Sequence, residues 1–304
     1  MLMGSCFSEH IGKNLIDAKF SVDNNPFGIV YNPLSIKRGL ARLLDGVEYS
    51  MDEIMVNHEL WNSFDHHGKF SNIDPNACIS SINKQFIISK QNIPKANFLF
   101  ITFGTSYVYY LKSTKQVVSN CHKFPAKAFE RKRVTEEEIV EEYSVLITRL
   151  RQINPAICIV FTVSPVRHWK DGAHENQLSK AILLLAAERI CGKFDQTFYF
   201  PSYELMMDDL RDYRFYDEDM IHPNHIAINY IWQKFISCFM ESKTISIMNE
   251  VEKIVSARKH RPFNTESTQY KDFAQKTLIQ IRHLQQQFQL SLNEEENYFA
   301  SILG

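Results

Sequence analysis

Short apolar runs alternating with amphipathic helical stretches constrain this chain more than any other feature. The runs are "FSVDNNPFGIVY", "ANFLFITFGT", "AICIVFTVSP" and "QTFYFPSYE". They are rich in aromatic and β-branched residues and read as buried strands. Helical patterns lie between and beyond them. Ile11, Leu15 and Ala18 share a face over residues 8–19. Residues 33–45 open at Pro33, a good first-turn residue. A weaker pattern covers 74–92. Residues 135–152 begin with the capping box Thr135-Glu136-Glu137-Glu138. "LLLAA" sits within 175–191, and "IAINYIWQKFISCFM" fills 225–241. This alternation predicts an α/β fold, a central parallel sheet with helices on both faces. Past residue 242 the pattern becomes polar and helical, over 243–258 and 266–290, with the loop "KHRPFNTES" between. Two domains are expected: an α/β domain over 1–242 and a helical C-terminal extension over 243–304. The extension would cover the domain or make a homo-oligomer contact.

Composition narrows the function. A net charge of -1 gives no bulk electrostatic reason to bind nucleic acid or an anionic membrane surface. The six cysteines are scattered without a C-x-x-C pair, which suggests neither a zinc site nor a disulfide framework. No apolar run is long enough for a transmembrane helix, and no basic-then-apolar leader opens the chain. A cytoplasmic protein without metal or cofactor is the resulting expectation.

Ligands of open parallel sheets gather at the carboxyl ends of the strands. The segments placed there are "GSCF", "NPFGIVYNP", "FGTSY", "SPVRHWKDGAHEN", "PSYE" and "DEDMIHPNH". Ser5 has two readings: a nucleophile at a helix N-terminus, where free N–H groups favour an oxyanion, or a plain helix cap. Cys6 is the rival nucleophile, but adjacent side chains diverge, so Ser5 and Cys6 should not both face the site, and a buried structural role is the one expected of Cys6. Asp219 and His222 are spaced so that the carboxylate reaches the imidazole within one turn. The bland alternative is a surface Asp beside a capping His. His66, Arg167, His168, His174 and Asn176 are candidates to line a substrate pocket, with loop hydrogen bonding as the alternative for each. Arg167 suits a carboxylate or phosphate. The run "ERKRV" reads as a solvated face.

Taken together, these strings resemble the bacterial GSCFA-domain family, within the SGNH hydrolases. The match runs from "GSCFS" through "NPFGIVYNPLSI", "LWNSFDHHGKFS", "NCHKFPAKAFERK", "FTVSPVRHWKDGAHENQLSKA" and "YFPSYELMMDDLRDYRFYDEDMIHPN" to "YIWQKF", about residues 1–240. Ser8 stands where the family name has Ala. The resemblance implies a flavodoxin-like, three-layer α/β/α fold. It implies ester hydrolysis through an acyl-Ser intermediate, on a small-molecule or carbohydrate ester, with Ser5 as nucleophile, His222 as base and Asp219 orienting it. Gly28 and Gly104 map onto oxyanion donors. Thr105 stands where the family pattern has an Asn; Asn176 is the candidate to replace that donor, with Thr105 itself, through its hydroxyl or backbone N–H, as the alternative. An acyltransferase or a non-catalytic binding module on the same fold are the alternatives. Only Met1-Leu2-Met3 precedes the Gly-Ser turn, so the first strand is expected to be truncated, short and poorly anchored.

Overall fold

The computed structural model describes residues 1–260 and 267–304. Most of the loop "KHRPFNTES" therefore lies outside the described residues. The elements run β1 (Leu2–Gly4), α1 (Cys6–Asp17), α2 (Pro33–Asp45), β2 (Met55–Asn57), β3 (Leu60–Asn62), α3 (Pro75–Asn92), β4 (Phe98–Phe103), β5 (Tyr107–Leu111), β6 (Val117–Val118) and β7 (Phe129–Arg133). They continue with α4 (Glu136–Ile153), β8 (Cys158–Val163), α5 (Gly172–Lys193), β9 (Thr197–Tyr199), α6 (Ser202–Glu204), α7 (His225–Phe239), α8 (Ser242–Lys259), α9 (Thr268–Phe288) and α10 (Asn293–Leu303).

The central sheet is parallel, in the order β1-β4-β8-β9, and is flanked by helices. Its strands are apolar on both sides, as a strand covered twice must be. Met3, Ile101, Phe103, Ile159, Phe161 and Val163 are all buried in one core. The α/β expectation holds. One strand does not: of residues 20–31, only Asn24 bridges in parallel to Leu2. The physical reason lies in "DNNPFG". Asn25 takes a positive φ of 48°, and Pro26 has no N–H for a ladder. That single bridge still places the segment on the outer side of β1. The spatial order therefore follows the flavodoxin-like pattern with its second strand reduced to a bridge.

β1 is short, as expected, but it is anchored on both sides. Leu2, Met3 and Gly4 pair with Phe100, Ile101 and Thr102 of β4. On the other side, the Leu2 N–H donates to Asp23 O at 2.8 Å and Asn25 N–H donates to Leu2 O at 2.9 Å. Gly4 permits this closeness, since a Cβ there would lie 2.3 Å from Thr102 O. Ser8, the departure from the family name, donates its hydroxyl to Thr102 Oγ1 at 2.6 Å.

Two antiparallel pieces were not foreseen. β2 and β3 form a hairpin, and β6-β5-β7 form a second sheet. The latter contains "ERKR", which is more than a solvated face. Arg131 donates both terminal nitrogens to the two Asp171 carboxylate oxygens at 2.5 Å, and Arg133 pairs with Glu175 at 2.6 Å. The loop after β8 is thereby tied to β7.

The described residues form two compact units, Met1–Gly12 with Asp23–Gln233, and Lys13–Val22 with Lys234–Gly304. The second has its own core of Val251, Ile254, Leu278, Ile281, Leu284, Leu292 and Phe299. Glu295, 1% exposed, is held there by Lys19 at 2.9 Å and Arg258 at 3.0 Å. Among the described residues no helix is long and apolar enough to cross a membrane.

Candidate active site

A cavity of about 110 Å³ opens in the first unit, lined by Cys6, Phe7, His10, Val166, Asp217, His222, Pro223 and Ile228. Its thiol comes from the first turn of α1, directly after β1. Its imidazole comes from the segment before α7. That segment is closed on itself: Tyr216 bridges to Pro223, and Asp217 N–H donates to His222 O at 2.8 Å. Asp219 organises it further. One carboxylate oxygen accepts from the N–H groups of Ile221 and His222, at 2.8 and 2.9 Å. The other lies 2.5 Å from His222 Nδ1. Those hydrogen bonds from His222 and Ile221 hold the Asp219 carboxyl down to about 2. Asp219 and His222 thus meet as their spacing suggests, and Nε2 is left for other work.

Ser5 does not line this cavity. It is 1% exposed, and its Oγ accepts from Phe7 N–H at 3.3 Å, a short helix-cap bond. Ser5, the expected nucleophile, thus lies outside this cavity: in the turn after Gly4 the adjacent side chains diverge, and Cys6 is the one that shares the cavity with His222. Burial raises the Cys6 thiol above its ordinary value, against the opposing pull of the Phe7 and Cys6 N–H groups and the charge of Lys180. The resting group is accordingly a thiol that needs a base.

The N–H groups of the expected oxyanion donors have partners of their own in the structure. Gly28 N–H donates to Asn25 O at 2.7 Å, in a turn with φ +76° that packs against His67. Gly104 and Thr105 both donate to Tyr31 O, at 2.7 and 3.1 Å. Thr105 Oγ1 is 3.1 Å from Ser179 Oγ and accepts from Tyr107 N–H. The N-terminus of α1 lies at the thiol, where the Cys6 and Phe7 N–H groups hold its value down, Phe7 N–H also donating to Ser5 Oγ.

The expected pocket residues divide. His66 is corrected to a structural role: it is 2% exposed, ringed by Phe27, Tyr49 and Phe70, and its Nδ1 lies 2.9 Å from Ser63 Oγ. Burial lowers it to about 3, so it stays neutral. Asn176 is buried and accepts from His168 N–H at 2.8 Å, bracing the loop after β8 rather than donating to an oxyanion. Burial lowers the His168 imidazole. His174 is exposed on the first turn of α5. Arg167 donates to the Tyr216 hydroxyl at 2.9 Å. None of these five lines the thiol cavity, although Val166, next to Arg167, does.

A residue that sequence reading missed lies beside the site. Lys180 on α5 is 1% exposed, and its Nζ donates to Gly104 O at 2.9 Å and Ser164 O at 2.7 Å. These carbonyls sit just past β4 and β8, at the carboxyl edge of the sheet. Burial lowers Lys180 to about 7, and Cys6 is the group that opposes the fall. One residue earlier, Ser179 Oγ accepts from Ser106 N–H at 2.8 Å. The signal was available: Asn176, Ser179, Lys180, Leu183 and Ala187 share one helical face, so the Lys points where its neighbours are apolar. Among the described residues no group of three His, Cys, Asp or Glu could hold a metal ion.

A parallel α/β sheet with a thiol after its first strand and an Asp–His pair from a late loop describes the class of protein. The chain belongs to the GSCFA family: residues 1–235 match that family, and 251–303 match the C-terminal domain of GSCFA domain proteins. No curated protein matches it.

Proposed function

We propose that the chain is an SGNH-type acyl hydrolase that works through Cys6, on a small-molecule or carbohydrate ester in the cytoplasm. The observation that carries this reading is the shared cavity of Cys6 and His222, with Asp219 on the far side of the imidazole. The six cysteines are all free thiols, in keeping with a reducing compartment.

In this reading the Cys6 Sγ–H proton passes to His222 Nε2 as Sγ bonds to the ester carbonyl carbon. Asp219 holds the imidazole tautomer and stabilises the imidazolium. The N-terminus of α1 faces the negative charge that develops on the carbonyl oxygen. The carbon–oxygen bond to the alcohol then breaks, and His222 returns the proton to that leaving oxygen. Water, deprotonated by His222, attacks the thioester and releases the acid and the thiol.

The test is turnover of a panel of acetyl and longer acyl esters by Cys6→Ala and Ser5→Ala, with alkylation by iodoacetamide mapped by mass spectrometry. Cys6→Ala should lose several orders of magnitude in rate. Ser5→Ala should keep most of it and lose only ~1 kcal/mol of stability with its cap. The opposite pattern would return the nucleophile to Ser5. Product analysis with an acceptor sugar present separates hydrolysis from acyl transfer.

A further inference from the structure

Among the described residues Arg167 is a cation without a carboxylate partner. It follows Val166, a wall of the thiol cavity, in the loop after β8. One N–H donates to the Tyr216 hydroxyl, and the guanidinium lies 4.6 Å from the Tyr216 ring centroid and 5.8 Å from those of Trp169 and Tyr213. Among the described residues no carboxylate pairs with it. The contrast with its neighbours is sharp, since Arg131 and Arg133 in the same region each hold one. The rings that frame it are left in solvent: Trp169 is 48% and Tyr213 61% exposed.

We propose that this cluster is an oxyanion subsite, which selects esters bearing a carboxylate or phosphate at some remove from the bond that is cut. A planar guanidinium presents paired N–H groups that match a carboxylate or phosphate in geometry. Aromatic rings around it exclude water from one side and strengthen that attraction. Placement supplies the link to the cavity. Val166 and Asp217 line it from two different segments, and Arg167 and Tyr216 are the adjoining residues on those segments. The cluster therefore adjoins two walls of the cavity along the chain. The word "substrate" here rests on the acyl-hydrolase reading; the binding of an anion does not.

The experiment has two arms. The first is calorimetric titration of the wild-type chain, Arg167→Met and Arg167→Lys with succinate and with inorganic phosphate. The wild type should bind at least one of them in the millimolar range or tighter, Arg167→Met should not, and Arg167→Lys should recover part, because an ammonium keeps charge without the fork. Whichever anion binds identifies the source. The second arm compares kcat/KM for p-nitrophenyl acetate with that for the p-nitrophenyl monoester of succinic acid, and for the acetate ester of glycerol 3-phosphate. The ratio of anionic to neutral ester should fall about 10- to 100-fold in Arg167→Met, chiefly through KM. An unchanged ratio, with both esters impaired alike, would reduce Arg167 to a staple between two loops and overturn the proposal. So would failure of the wild type to bind either anion. Anion binding that depends on Arg167, without turnover of any ester, would remove the hydrolase reading and keep the subsite.

Discussion

Lys180 shows how much one buried side chain decides. Its ammonium is satisfied by two carbonyls, yet burial brings it to about 7, well below the ordinary value of 10.5. Between those values the unfolded chain holds a proton that the folded chain has shed. Stability contributed by this group therefore rises with pH from about 7 to 10.5, and below 7, where both states hold the proton, it changes no further. In Lys180→Met the titration disappears, while Gly104 O and Ser164 O lose their partner at every pH, at a cost of about 1–3 kcal/mol each. Denaturant midpoints of the two proteins should draw apart as pH climbs from 7 to 10, in favour of the wild type. Parallel profiles would mean that Lys180 keeps its ordinary value. Cys6 makes a second residue-level case. Its thiol is raised by burial, so without a base it should resist alkylation at neutral pH. His222→Ala should slow iodoacetamide labelling of Cys6 at pH 7 more than at pH 10; equal slowing at both would deny His222 the role of base.

At the scale of elements, α5 carries two jobs in one helix. Its carboxyl half packs Leu183, Ala186, Ala187 and Ile190 into the core, and its amino half braces the turns that follow β4 and β8. Ser179→Ala removes the partner of Ser106 N–H and of two hydroxyls, and should cost about 1–3 kcal/mol in a denaturant titration. A loss below 0.5 kcal/mol, about the scatter of neutral surface changes, would mean that the cluster rearranges freely. Much of this layer was legible beforehand. Three long apolar runs became β4, β8 and β9, and the capping box at Thr135 opens α4 with both of its bonds made. The sheet formed by β5, β6 and β7 was not legible, because "YVYYL" and "FERKR" owe their strand form to each other, and pairing across that distance leaves no local period. The segment 20–31 failed for the opposite reason: an apolar pattern was overruled by turn chemistry at Asn25-Pro26. In the site, the Asp219–His222 pair was legible because it is local. Which of Ser5 and Cys6 lines the cavity was not, since it turns on the direction of one side chain after a glycine. The partners of the expected oxyanion N–H groups were not legible, because backbone partners are set by tertiary contacts, here Tyr31 and Asn25.

Across the whole molecule, burial acts on imidazoles in one direction. His66, His67, His122 and His168 all have lowered values, chiefly by burial, His66 to about 3. Below about 6.5 an unfolded chain takes up protons that these rings refuse in the folded state, so stability is lost as pH falls from about 6.5 toward 3. The checks are an acid unfolding curve and NMR of the ring nitrogens. His66 should stay neutral at pH 5 in the folded protein, and a His66 ring protonated there would contradict its enclosure. The two-sided seating of β1 has a consequence of another kind, in the order of assembly. The register of Leu2 against Phe100, and the meeting of Cys6 with His222, join stretches that leave the ribosome far apart. Such remote pairings close late, since the entropy of the intervening loop must be overcome first. A growing chain therefore exposes Cys6 as an ordinary, unassisted thiol for most of its synthesis. It gains its enclosure and its imidazole only when the last loop before α7 has docked, so the loss of ordinary exposed-thiol labelling of that sulfur would report completed folding.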